Sequence, residues 1–164
     1  MMKAVFTSIV LALAAGTLLT ASAHDDGDGP TPAERAAGAT ETRQAVFKLL
    51  GYNMGTIGAM AKGDIEFDAG IAERNARRIA NLASMIPELF ARMDTLEFDV
   101  ETEALDVIWE KPEQFRSRAM DLVEGANEFA DIAADGDRME VIGNVRELGS
   151  NCGNCHDDFR VDDD

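Results

Sequence analysis

Cys152-Gly153-Asn154-Cys155-His156, near the carboxyl end of the chain, is the one place where residue types and spacing together specify chemistry. In a CxxCH motif the two thiols can form thioethers with the vinyl groups of a haem, and the adjacent imidazole can ligate its iron. On a helix turning about 100° per residue, Cys155 lies roughly 60° to one side of Cys152 and His156 roughly 40° to the other. All three then face one flat partner. A CxxC pair can also be a disulfide, a thioredoxin-like dithiol or half of a zinc site. Zinc is short of ligands, because the chain holds 2 Cys and 2 His and His24 falls in a polar leader. A redox dithiol usually opens a helix after a strand, whereas this pair lies deep in a helical pattern.

The amino terminus bears on where such a motif could be loaded. Met1 to Lys3 is a short basic start, Ala4 to Leu19 an apolar stretch, and Ala21-Ser22-Ala23 a small-residue cleavage site. The expectation is a signal peptide over residues 1–23, cleaved after Ala23, and export to the periplasm, the side on which c-type haem is attached. No later segment has about 20 consecutive apolar residues, so the mature form is expected to carry no membrane span. Removing those 23 residues from 164 takes away one Lys and no acid, which moves the net charge from −16 to −17. That charge argues against nucleic acid and anionic lipid as partners.

The elements that must position the motif read as helices. Residues 24–32 are rich in Asp, Gly and Pro and are expected to form a flexible acidic leader, with one domain over 33–164. A first helix from about Ala33 to Ala61 carries Phe47, Leu50, Met54 and Ile57 at helical spacing. Asp68 caps a second, whose stripe is Ala72, Ala76, Ile79, Ala83 and Ile86 and which Pro87 bends or ends. Arg92 to Val100 has no usable period and reads as an ordered loop, followed by a short helical segment over Glu101 to Trp109. Pro112 sits in the first turn of a third long helix with Phe115, Ala119, Leu122, Ala126 and Phe129 facing inward. A fourth carries Met139, Ile142, Val145 and Leu148 before reaching Cys152. The predicted fold is all-α, an antiparallel up-down-up-down four-helix bundle with the haem near the C-terminal helix.

Four helices with CxxCH near the end of the last resemble cytochrome c′, of the class II cytochromes c, over about Thr42 to Arg160. Three segments carry the likeness. Arg43-Gln44-Ala45-Val46-Phe47 resembles the stretch in which the family sets Arg and Gln near the haem propionates and a bulky residue over the iron. Glu103-Ala104 through Ile108-Trp109, with Phe115 beyond, resembles the loop and helix start beside the porphyrin. Cys152 to Arg160 resembles the family's last turns, with an Arg one turn beyond the ligand.

The resemblance implies one covalently attached haem c on Cys152 and Cys155, with His156 as axial iron ligand. It places Arg43, Gln44, Glu103, Trp109 and Arg160 around the haem, and Phe47 on the distal face. Phe has no lone pair for a metal, so the expected iron is five-coordinate, binding nitric oxide (NO) or carbon monoxide (CO), with electron exchange with an unidentified redox partner as a further expected role. No acid, base or nucleophile is arranged for turnover, and the expectation is a binding or carrier protein, not an enzyme. The alternative is a six-coordinate electron carrier in which Met54 is the second ligand. Another is a haem-free acidic module with a disulfide. Many relatives pair through their first two helices, and the glycine-rich first helix is compatible with a homodimer.

Overall fold

The computed structural model describes residues 29–161, and the expected signal peptide, most of the leader and residues 162–164 lie outside them. Helix α1 spans Pro32–Lys62, α2 Ala69–Ala83, α3 Ile86–Ala91, α4 Val107–Glu110, α5 Pro112–Ala134 and α6 Arg138–Phe159. The four long helices are the four expected from the sequence. α1 packs on α2, α2 on α5 and α5 on α6, and α6 returns to α1 over a shorter length, closing the antiparallel bundle.

α1 begins at Pro32, one residue inside the segment read as leader, with its cap Thr31 before it. Thr31 and Glu34 form a capping box: the Thr31 hydroxyl accepts from Glu34 N, and a Glu34 carboxylate oxygen accepts from Thr31 N at 2.7 Å. Pro32, with no N–H to satisfy, occupies the first turn. α1 ends at Gly63, whose φ of 79° is the left-handed conformation that terminates a helix at little cost to glycine. Asp68 caps α2 as expected, accepting from Ile71 N at 2.8 Å.

The core is built from the predicted stripes of α2 and α5. Ala72, Ala76, Ile79, Ala83 and Ile86 are buried, as are Phe115, Ala119, Leu122, Ala126 and Phe129. Four expectations need correction. On α1 the fully buried line is Ala36, Thr40, Arg43, Val46, Asn53, Ile57 and Met60, while Phe47 stays 39% exposed. Polar residues occupy the inner face there, so an apolar stripe follows its flank. On α6 Met139 is 83% exposed and the buried line starts at Val141, because Met139 sits in the first turn beyond the end of the core. α2 stops at Ala83, and Pro87 lies in the first turn of α3 instead of ending α2. Of the expected helix over Glu101 to Trp109, only Val107–Glu110 is helical.

Candidate functional site

The CxxCH motif lies in the last turns of α6, a helix opened by Asp137, whose carboxylate accepts from Glu140 N at 2.8 Å. The helix runs unbroken through the motif. Cys152 and Cys155 are half-buried against the core, and Phe159 shares their face at helical spacing and is fully buried. His156 is displaced around the helix and exposed. The two cysteines are not joined in a disulfide. Burial pushes the Cys152 thiol up, and it pushes Cys155 up to about 11, with Arg118 opposing the rise and Asp158 reinforcing it.

These shifts bear on one of the readings left open by the spacing. A redox dithiol works as a thiolate and sits where its pKa is depressed; both shifts here run the other way. Among the described residues no group of three or more His, Cys, Asp and Glu could hold a metal ion. Two half-buried thiols one turn apart, an adjoining imidazole and an apolar face on the same helix form a donor set that fits a c-type haem.

An aromatic row lines the same end of the bundle. Phe47 of α1 meets Phe90 of α3 edge-on at 6.4 Å between ring centroids; Phe90 meets Phe115 of α5 at 4.9 Å, and Phe115 meets Phe159 of α6 at 5.2 Å. Trp109 joins as a side branch 5.9 Å from Phe90, its indole N–H donating to Phe90 O at 3.1 Å. Such edge-to-face pairs contribute about 0.5–1.5 kcal/mol each beyond the area they bury. The row connects the helix bearing Phe47 to the last turn of the helix bearing His156.

The remaining expected residues take up separate places. Arg43 is buried, donating through Nε and Nη2 to Leu89 O at 3.2 Å and through Nη2 to Met93 O, with its guanidinium 4.5 Å from the Phe90 ring centroid. Desolvation lowers its pKa, and Asp94 acts in the opposite sense. Arg43 thus belongs to the wall of the aromatic row. Gln44 donates to Glu101 O at 2.9 Å and ties α1 to the segment before α4. Glu103 and Arg160 pair with each other, Arg160 Nε to Glu103 Oε2 at 2.8 Å. Met54 is half-buried, and its methyl lies 3.7 Å from where a Cβ on Gly149 of α6 would stand.

Sequence reasoning missed three contributors. Phe90, the hub of the row, lies just after Pro87, which from the sequence bends or ends α2; a proline followed by Glu88 is equally a helix start. Arg118 binds Asp158 at 2.9 Å and joins α5 to α6 beside Cys155, a pairing between distant segments that no local pattern signals. Gly125 of α5 makes room for Asn151, for a Cβ there would lie 2.3 Å from the Asn151 amide nitrogen.

Residues 38–160 match the family model described as Cytochrome C'. Among characterised proteins the chain is 36% identical over 124 residues to cytochrome c-554 of Cereibacter sphaeroides, covering 75% of this chain and 92% of that protein. It is also 36% identical to cytochrome c′ of Halomonas halodenitrificans, covering 73% and 93%. Among solved structures, cytochrome c prime from Shewanella frigidimarina is similar at a TM-score of 0.69 and 33% identity, covering 77% of this chain and 97% of that one. Cytochrome c′ from Rhodopseudomonas palustris gives 0.70 and 28%, covering 77% and 98%. With the motif on its last helix, the bundle around it and likeness along nearly the full length of these relatives, the chain belongs to the cytochrome c′ family of c-type haem proteins.

Proposed function

We propose that this protein is a periplasmic carrier of one haem c whose iron takes His156 as its only protein ligand and binds NO or CO on the side guarded by Phe47. A haem so held supplies an open coordination position for a small ligand and a one-electron couple. Cys152 and Cys155 provide the covalent tether. The observation that supports the reading is Phe47 itself, which the resemblance matches to the family's bulky distal residue: it offers no donor atom and leans on the Phe90 ring. An apolar, crowded approach admits uncharged diatomic molecules and disfavours water and anions. Met54, the residue the six-coordinate alternative requires, has its methyl directed at the α6 backbone near Gly149.

Binding and electron carriage, without turnover, is the corresponding role. Export rests on the amino-terminal pattern; among the described residues no helix is long and apolar enough to cross a membrane. Leu49 and Tyr52, 50% and 70% exposed on one side of α1, support pairing with a second copy of this chain. A similar solved structure is described as a cytochrome c′ with an unusual ligand-controlled dimer dissociation. Absorption spectra of the oxidised and reduced holoprotein test the reading. High-spin five-coordinate spectra that change on adding CO are expected, and a low-spin set with a methionine-to-iron band would overturn it.

A further inference from the structure

Residues 103–105 and 159–161 lie antiparallel and bond to each other. Leu105 N donates to Phe159 O at 3.0 Å and Val161 N donates to Glu103 O at 2.9 Å, on either side of a bridge between Ala104 and Arg160. The Arg160 guanidinium closes the pair on the Glu103 carboxylate at 2.8 Å. All of this happens one turn beyond His156, where Arg160 N donates to His156 O at 3.0 Å and the backbone leaves the helix in an extended conformation.

The last turn of a helix lacks partners for its carbonyls and frays unless something supplies them. Here the 103–105 segment supplies one to Phe159 and receives one from Val161. Phe159 is itself buried against Phe115, so ring packing and the strap hold the same turn. Gln44 secures the strap's start by donating to Glu101 O. We infer that Glu103 and Arg160 are positioning residues: they clamp the 101–106 strap across the end of α6 and thereby fix the orientation of the His156 imidazole on the iron. The inference rests on His156 as axial ligand and is independent of whether a sixth ligand is present.

The test uses holoprotein carrying Glu103→Gln, Arg160→Gln, or the exchanged pair Glu103→Arg with Arg160→Glu. Hydrogen exchange of the amides of residues 157–161 reads the clamp, and the iron–histidine stretching band of the ferrous protein, or the reduction potential where the iron is six-coordinate, reads the ligand. Each single variant is expected to raise exchange about two- to fivefold, the range for a partly exposed ion pair, and to displace the haem signal. The exchanged pair should return both toward the native values. Leu105→Pro, which deletes a donor to Phe159 O, should act in the same direction and more strongly. Faster exchange with an unchanged haem signal would reduce the strap to a structural tie and overturn the inference. So would a haem signal that responds to Arg160→Gln and not to Glu103→Gln, for Arg160 would then act on the haem directly.

Discussion

Replacing Arg43 by Lys and by Met separates the two things its guanidinium does. Arg43 is only 5% exposed, and its fork reaches carbonyls of both Leu89 and Met93 while lying on Phe90. A lysine keeps the charge and can serve one carbonyl at a time; losing one hydrogen bond from a charged donor costs roughly 1.5–3 kcal/mol. Methionine fills similar space but leaves both carbonyls without this donor, at about 1–3 kcal/mol apiece. Removing the buried charge recovers part of its desolvation cost, so the upper end of that range is a ceiling. The expected losses are about 2 kcal/mol for Arg43→Lys and about 3–4 kcal/mol for Arg43→Met. At about 4 °C per kcal/mol for a domain of this size, thermal midpoints fall by roughly 8 and 14 °C. Far-ultraviolet circular dichroism of the holoprotein during heating measures both. A lysine variant as stable as the native protein, or a methionine variant more stable than the lysine one, would refute the role of the fork.

Phe47→Ala is expected to raise the CO association rate, measured by flash photolysis, by opening the approach that the ring obstructs; an unchanged rate would show that Phe47 guards nothing. Gly143→Ala meets open space within α6 and should stabilise the helix by about 0.5–1 kcal/mol, read from urea unfolding. A loss instead would mean that this face is covered. The bonds from Thr31 hold the Glu34 carboxyl below its ordinary 4.5, so the native chain binds fewer protons than the unfolded one in that window. Stability present above pH 4.5 should therefore decline as pH falls through the depressed value, and Glu34→Gln should flatten that decline in acid titrations followed by circular dichroism.

How much of this was legible depended on whether a signal was local. The five residues of the motif and the stripes of α2 and α5 are short-range patterns, and the structure keeps them in place. The inner line of α1 was hidden because Thr40, Arg43 and Asn53 are polar by type and buried by context. Arg43 is accommodated because α3 and the residues just beyond it present two carbonyls, those of Leu89 and Met93, and α3 was itself obscured by an ambiguous proline. The Glu103–Arg160 pair joins residues 57 positions apart, beyond any periodicity. The Thr31–Glu34 cap was available in the sequence as T-x-x-E and lay inside a segment read by composition alone.

The placement of the thiols on α6 bears on when a haem can be attached. A chain delivered from its amino end presents α1, α2 and α5 before either cysteine appears. Once α6 docks, both sulfurs are partly shielded and Cys155 is held far from ionisation. Thiols shielded in this way are less open to thioether formation than those of an undocked α6, so a substitution that hastens α6 docking is expected to lower the yield of coloured protein without weakening the finished fold.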